Sequence, residues 1–279
     1  MTPPPHEFRT TTAGPNVGFR VALEPSSDDP ITKAILDGFY PDKRMWELVN
    51  AALPPGGVML DLGGHIGYLS LAAAVSGRRV VTVEASPRNA ALIAESVREN
   101  GLGERMTLIH AAVSDEARTL EFRSDGPWGQ VAVGPTSITT VSVSARTGAE
   151  ILASLDIAHV DLIKMDVEGS EVRALTGLSD LLSRPDSPPV LYEANQETLE
   201  VFGAKATDLF AMMEGFGYRN YLIDSEPRKL RPLAESDHTE SFLDVLAVKS
   251  RFGPKPGLLS RLLGPRDVTP RVPGWTTES

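Results

Sequence analysis

Short apolar runs recur along the middle of the chain, and stretches with helical spacing separate most of them. Seven runs are predicted as strands, over residues 58–60, 80–83, 106–109, 160–165, 190–192, 218–223 and 242–248. Apolar positions at helical spacing predict helices over residues 69–75, 86–100, 147–155, 172–182 and 209–213. This alternation is typical of an α/β fold with helices on both faces of a sheet.

The segment before the first of these strands divides into two parts. Residues 1–28 are rich in Pro, Thr, Ser and Gly, and we expect a loose N-terminal arm in which only residues 17–23 could form a strand. Residues 29–55 are predicted to form two helices, the first starting at the capping pair Asp29 and Pro30. These helices form an N-terminal extension that could cap the active site.

Two further segments complete the domain plan. Within the main domain, residues 56–249, alternating stretches at 119–123 and 138–144 predict a β-hairpin insertion beside the sheet. Residues 250–279 contain repeated Gly-Pro and Pro-Gly pairs, so we expect a mostly disordered tail.

A glycine-rich turn joins the first two predicted strands of the sheet. Asp61 ends the first strand, Gly63, Gly64 and Gly67 follow it, and Glu84 ends the second strand. Glycines let the backbone turn tightly against a ligand, and an acid in the place of Glu84 accepts hydrogen bonds from ribose hydroxyls. The carboxylate of Asp61 would repel a pyrophosphate but suits the ammonium of an amino acid. Together these residues predict a site for S-adenosylmethionine (SAM).

His65 separates this turn from a dinucleotide-binding turn. It stands where the G-x-G-x-x-G pattern has its second glycine, which disfavours an NAD-dependent oxidoreductase. We expect His65 to contact the carboxylate end of the cofactor or to support the loop, and a catalytic role remains an alternative.

Small residues after the second and third strands complete the predicted cofactor site. Ala85, Ser86 and Asn89 lie at the start of the helix that follows Glu84. Ala111 and Ala112 follow the third strand and leave room for a flat adenine ring.

Acids end four of the predicted strands, where ligands of open α/β sheets bind. They are Asp61, Glu84, Asp166 and Glu193, with Glu168 just beyond. Methyl transfer to a hydroxyl needs positioning and a general base. The candidates for the base are Asp166, Glu168, Glu193 and His65, and Asp166 is also assigned to the cofactor site. Alternatively, Asp166, Glu193 and Asn195 offer oxygen ligands for a magnesium ion that would hold an ionised hydroxyl.

The composition narrows the choice of partner and compartment. The net charge of −10 argues against sequence-independent binding of nucleic acid. The chain has no cysteine, which excludes disulfides and thiolate metal sites. No apolar run approaches the length of a membrane span, and the first residues lack the apolar core of a signal peptide. We therefore expect a cytoplasmic protein that acts on a small molecule.

Three motifs resemble those of the FkbM family of SAM-dependent methyltransferases. DLGGHIGYLSLAAA at residues 61–74 is similar to the opening of the family, with Gly64-His65 where Ala-Asn is common, and VEASP at residues 83–87 is similar to its ribose segment. LIKMDVEGSEVRAL at residues 162–175 resembles the I-K-x-D-x-E-G-x-E signature, the most specific of the three.

The resemblance implies a Rossmann-like, seven-stranded methyltransferase sheet, SAM as methyl donor, and O-methylation of a sugar or natural-product hydroxyl. It places Asp61, Gly63, Gly67 and Glu84 at the cofactor and Asp166 and Glu168 beside the reacting centre. The predicted function is therefore a SAM-dependent O-methyltransferase. Transfer to nitrogen and a non-catalytic SAM-binding module remain the alternatives.

Overall fold

The chain folds around one large sheet, and the computed structural model describes residues 4–41, 43–123, 129–133, 139–224, 229–249, 274 and 276–277. The strands are β1 (Glu7–Thr12), β2 (Gly18–Leu23), β3 (Val58–Leu62), β4 (Arg79–Glu84), β5 (Met106–His110), β6 (Ala112–Val113), β7 (Arg118–Arg123), β8 (Gln130–Val131), β9 (Thr140–Arg146), β10 (Leu162–Met165), β11 (Val190–Asn195), β12 (Tyr218–Ile223), β13 (Lys229–Pro232), β14 (Phe242–Lys249) and β15 (Thr276–Thr277). The helices are α1 (Pro30–Leu36), α2 (Lys43–Ala52), α3 (Tyr68–Val75), α4 (Pro87–Glu99), α5 (Gly148–Ser154), α6 (Glu171–Thr176), α7 (Ser179–Leu182), α8 (Gln196–Val201) and α9 (Ala206–Gly215), with a 3-10 turn at Glu235–Thr239.

The central sheet contains the seven strands that were predicted. Its order is β15-β13-β12-β14-β11-β10-β3-β4-β5. Strands β5, β4, β3, β10 and β11 are parallel, and β14 runs antiparallel between β11 and β12. The seven predicted strands are β3, β4, β5, β10, β11, β12 and β14, and all of them lie in this sheet, so the prediction is confirmed. Strands β13 and β15 extend the sheet beyond β12. The carboxyl ends of the five parallel strands meet at one edge of the sheet, where ligands of such folds bind.

Helices cover both faces of this sheet. Neighbouring residues of a strand point to opposite faces, and the apolar clusters follow that rule. Met59 of β3 packs in one buried cluster with Leu71 of α3 and Ile93 of α4. The next residue, Leu60, belongs to a second cluster with Ile151 of α5. The predicted two-faced α/β arrangement is therefore confirmed.

The strand considered over residues 17–23 is confirmed as β2, but the expected loose arm is wrong because β1 pairs with it and the hairpin packs on the domain. These strands pair as an antiparallel hairpin, and Val21, Ala22 and Leu23 are fully buried in the core. The amide of Ala22 donates to Oγ of Ser96 on α4 at 2.9 Å, which fastens the hairpin to the helix layer. The proline and threonine content suggested disorder, but β-branched threonines favour a strand once a packing surface is present.

The predicted insertion is larger than a hairpin. β7 and β9 pair antiparallel as expected. β6 and β8 join them in a separate four-stranded sheet of order β6-β9-β7-β8, called the small sheet below. Isolated two-stranded hairpins are marginal in water, and the added strands give this insertion an apolar core around Phe122 and Val143.

Other boundaries also differ from the prediction. The helix expected over residues 172–182 is split into α6 and α7 around Gly177, where a Cβ would lie 2.2 Å from the carbonyl oxygen of Ser114. Helix α8 and strand β13 were not predicted. Most of the predicted disordered tail lies outside the described residues, although β15 within it pairs with β13. No helix among the described residues has the length and apolar character needed to cross a membrane.

Packing of the hairpin can be tested by denaturation. Leu23→Ala should lower the free energy of unfolding by about 2–4 kcal/mol, because it leaves a cavity in the core. The matched control is Arg9→Ala on the exposed face of the same hairpin, which should change stability by less than about 0.5 kcal/mol. Equally small effects of both variants in urea titrations would show that the hairpin does not pack on the domain.

Candidate functional site

A cavity of about 770 Å³ opens at the carboxyl edge of the central sheet. The five acids predicted to converge all line it: Asp61, Glu84, Asp166, Glu168 and Glu193. Of the other predicted site residues, those lining the cavity are Gly63, Gly64, His65, Ala85, Asn89, Ala111, Ala112 and Asn195. The predicted convergence of acids from separate strands is therefore confirmed.

Gly67 and Ser86 were also predicted at the cofactor, but they do not line the cavity. Gly67 precedes α3 with φ +83, and a Cβ there would lie 3.1 Å from Cγ1 of Ile93. Ser86 caps α4 by accepting a hydrogen bond from the amide of Asn89. Both residues shape the start of a helix behind the cavity wall.

The first two glycines of the turn are required by packing of the protein itself. Gly63 has φ +82, and a Cβ at this position would lie 1.7 Å from the carbonyl oxygen of Asp166. A Cβ at Gly64 would lie 2.2 Å from Cγ2 of Thr82. The close approach keeps the turn beside the loop that follows β10, so both segments line one cavity.

Glu84 is locked at the end of β4 by two backbone amides. Its Oε1 accepts from the amide of Ser86 and its Oε2 from the amide of His65, each at 2.7 Å. Burial raises the pKa of Glu84 to about 7, and these two hydrogen bonds oppose the rise. The two amides therefore fix the carboxyl group of Glu84 in the cavity wall.

His65 supports the turn through both its backbone and its ring. Its φ of +54 is in the left-handed region, which is uncommon for a residue with a side chain. The ring Nε2 lies 3.4 Å from Oδ1 of Asp29, the N-cap of α1. This geometry favours the loop-supporting role of His65 over the role of catalytic base.

Asp61 presents an unsatisfied carboxylate oxygen to the cavity. The residue is 1% exposed, and its Oδ2 accepts from Oγ of Ser70 at 2.5 Å. Its Oδ1 takes no hydrogen bond from the described residues, and Nζ of Lys164 lies 3.5 Å away. Burial raises the pKa of Asp61 although Lys164 opposes the rise. Asp61 therefore brings a buried carboxyl group, partly compensated by Lys164, to the cavity wall.

Sequence reasoning missed Lys164, the cation that organises this edge. Lys164 pairs with Asp61 in the register of β10 and β3. Its Nζ donates to the carbonyl oxygen of Gly63 at 2.7 Å and lies 3.4 Å from Oδ2 of Asp166. A charged residue inside an otherwise apolar strand was the available signal, since burying a lysine requires partners.

Glu171, which sequence reasoning also missed, holds the loop after β10. The loop turns sharply, with φ +54 at Glu168 and φ +97 at Gly169. Oε1 of Glu171 accepts from the amides of Val167 and Gly169 at 3.0 and 3.3 Å. The side chain is buried, so it positions the loop and does not reach the cavity.

Glu168 is the acid that this loop presents to the cavity. Burial, followed by the charges of Asp166 and Glu171, raises the pKa of Glu168 to about 7. The Nε2 of Gln130, from the small sheet, donates to the carbonyl oxygen of Glu168 at 3.1 Å. The small sheet therefore braces the backbone that carries this carboxyl group.

The far side of the cavity is formed by Glu193 and two residues that were not predicted. Asp244 of β14 pairs with Glu193 in register, and Nη2 of Arg44 on α2 lies 2.6 Å from Oδ2 of Asp244. Burial, and then the charges of Asp166, Glu168 and Asp244, raise the pKa of Glu193 well above its usual range. Burial therefore favours the protonated form of Glu193, and the charge of Lys164 opposes this in part.

The alternative of a magnesium site gains no support. Among the described residues, no group of three or more His, Asp or Glu side chains is arranged to hold a metal. The predicted ligand Asn195 uses its Oδ1 to accept the amide of Glu197, as the N-cap of α8, and its Nδ2 lies 3.5 Å from Oε1 of Glu193. The side-chain oxygen of Asn195 is therefore already engaged.

Comparison with known proteins identifies one family. A family model described as the methyltransferase FkbM domain matches residues 61–220, more than half of the chain. The match spans the glycine turn, Glu84 at the end of β4, and the loop after β10. No curated protein matches the chain.

Solved structures resemble the chain at low identity. Precorrin-6y C5,15-methyltransferase from Geobacter metallireducens is 14% identical, with 82% of this chain and 93% of that chain covered and a TM-score of 0.45. A TehB-like SAM-dependent methyltransferase from Corynebacterium glutamicum is 14% identical, with 78% of this chain and 93% of that chain covered and a TM-score of 0.45. The C-terminal domain of precorrin-6Y C5,15-methyltransferase from Rhodobacter capsulatus is 17% identical, with 85% of this chain and 96% of that chain covered and a TM-score of 0.42. Likeness at this level does not indicate a substrate.

The positioning role of Glu171 can be tested by amide exchange. Glu171→Ala should speed hydrogen exchange at Val167 and Gly169 roughly 5- to 10-fold, because each amide loses a hydrogen bond of about 1 kcal/mol. The control is Glu171→Gln, whose carbonyl oxygen can still accept both amides and should preserve their protection. Unchanged exchange at both amides in Glu171→Ala, measured by NMR, would contradict the assignment.

Proposed function

The chain belongs to the FkbM methyltransferase family, and from this premise we propose that it transfers a methyl group from SAM to a hydroxyl oxygen of a small molecule. When bound, SAM supplies an electrophilic methyl carbon on a sulfonium, whose sulfur leaves with the bonding electron pair. The chain has to hold the donor, align the hydroxyl group and remove its proton.

The residues of the turn would hold the donor. Asp61 would receive the ammonium group on its unsatisfied Oδ1, and Glu84 would accept the ribose hydroxyls. The small side chains of Ala85, Ala111 and Ala112 leave space in the lining where a flat adenine ring would fit. This assignment follows from buried acceptors and from steric room.

The observation that supports oxygen as the acceptor atom is the carboxyl group of Glu168. It lines the cavity, and its pKa of about 7 suits a general base at neutral pH. The other three candidates fit this role less well. Nζ of Lys164 lies 3.4 Å from Oδ2 of Asp166, burial raises the pKa of Glu193 well above its usual range, and the ring of His65 faces Asp29. We propose that the hydroxyl proton passes to the Glu168 carboxylate as the new carbon–oxygen bond forms.

Two other functions remain as alternatives. Transfer to nitrogen would need less help from a base, since a neutral amine already has a free electron pair. A non-catalytic SAM-binding module would have no use for a carboxyl group with a tuned pKa beside the donor. Release of S-adenosylhomocysteine (SAH) across a panel of hydroxyl and amine compounds separates all three functions.

Donor binding can be tested without knowing the acceptor. Calorimetry should detect binding of both SAM and SAH, and Glu84→Ala should weaken it roughly 10- to 100-fold, because charge-assisted hydrogen bonds contribute about 1.5–3 kcal/mol. The exposed Glu104→Ala serves as the control and should bind as the wild type does. Absence of binding to the wild-type protein would defeat the proposed donor.

The role of Glu168 predicts a specific dependence on pH. A base must be deprotonated, so the rate of SAH release with a hydroxyl compound should rise with pH and level off above about 7. Glu168→Gln should lower the rate by a factor of about 10²–10⁴ and remove this rise. Glu240→Gln, an exposed acid of the same chain, is the control. Retention of the full rate and pH profile in Glu168→Gln would exclude it as the base.

A further inference from the structure

The cavity has many more acids than cations on its wall. In the described lining the carboxyl side chains are Asp61, Glu84, Asp166, Glu168, Glu193 and Asp244, and the permanent cations are Lys164 and Arg44. SAM brings one net positive charge. Even with the donor bound, the wall has more carboxyl groups than positive charges to balance them.

Both cations have other partners at close range, although the charge of Lys164 also reaches Glu168 and Glu193. Lys164 lies between Asp61 and Asp166 and donates to a backbone carbonyl. Arg44 pairs with Asp244, and its Nη1 donates to the carbonyl oxygen of Asp224 at 2.9 Å. Within the part of the chain that the structure describes, neither glutamate forms an ion pair.

These acids lie close enough to repel one another. Glu193 faces Asp244 across neighbouring strands, and the charges of Asp166 and Glu168 also reach it. Ionised carboxylates at a buried site are unfavourable unless a cation compensates them. The same cavity also contains the buried Oδ1 of Asp61, which no described residue satisfies by a hydrogen bond. The wall is thus suited to a positive group at Glu193, whereas Nζ of Lys164 already lies 3.5 Å from Oδ1 of Asp61.

Several apolar side chains also line the cavity. Ile31 and Met45 from the N-terminal helices, Val131 from the small sheet and Phe242 from β14 line the cavity. Phe242 is 52% exposed, which is unusual for a large apolar side chain. An acceptor that fits here has an apolar or ring-like body together with a positive group.

From this arrangement we propose that the acceptor is an amino alcohol, whose protonated amine binds Glu193 while its hydroxyl group faces the donor and Glu168. The inference rests on the proposed function and specifies its substrate class. The ammonium would let Glu193 ionise and would favour the deprotonated form of Glu168, which must accept the hydroxyl proton.

The same charges decide which atom of the acceptor is methylated. Negative neighbours raise the pKa of a bound amine and keep it protonated. A protonated amine has no free electron pair, so it cannot attack the methyl carbon. The amine serves for recognition, and the hydroxyl oxygen is the nucleophile.

Matched pairs of compounds test the inference on the SAH-loaded, full-length protein. Glucosamine and phenylalaninol are each compared with the N-acetyl derivative, which keeps the hydroxyl groups but loses the positive charge. In at least one pair the amine should bind at least 10-fold more tightly by calorimetry. Glu193→Gln should abolish that preference without changing SAH affinity, and the exposed Glu197→Gln should retain it.

Two results would overturn the inference. One is the absence of any preference for the amine in both pairs, whether the compounds bind equally or not at all. The other is an amine preference that Glu193→Gln leaves intact. Failure of the amino-alcohol inference is distinguishable from failure of the proposed function, because SAH binding is measured before the acceptor compounds are compared. SAH release with neutral hydroxyl compounds and no amine preference would leave O-methylation standing and reject the amino alcohol.

Discussion

The structure depends on concentrating carboxyl groups at one edge of the central sheet with very few cations. Lys164 makes this arrangement possible, because it lies opposite Asp61 in register and reaches both the glycine turn and Asp166. Backbone amides hold Glu84, and Glu171 takes two amides of the loop that carries Glu168. Hydrogen bonds from backbone amides hold Glu84 and Glu171, whereas burial raises the pKa of Glu168 and Glu193.

Much of the fold and of the donor side followed from sequence pattern. Apolar runs predicted the seven strands. The acids that end four of them predicted the convergence of Asp61, Glu84, Asp166 and Glu193, because parallel strands end at a common edge. The role of each glycine was harder to predict. Gly63 and Gly64 are needed where two chain segments meet, and such contacts between distant segments are invisible in a local motif.

The acceptor side could not be predicted because it is built from long-range contacts. Arg44 comes from a helix before the first central strand and meets Asp244 on the last strand in sequence of the seven. The N-terminal hairpin was mistaken for a loose arm because the helices it packs against, α3 and α4 among them, come later in the chain. Glu168 was identified by its motif, but its tuned pKa depends on burial that only the folded chain reveals.

The hydrogen bond from Gln130 to the carbonyl oxygen of Glu168 links two parts of the molecule with different origins in the fold. The small sheet is an insertion, whereas the loop after β10 belongs to the central sheet. An engineer who exchanges this insertion to admit a new acceptor would also change the support of the proposed base. A change of acceptor selectivity is therefore coupled to the support of the proposed base. A replacement insertion needs a hydrogen-bond donor in the place of Gln130.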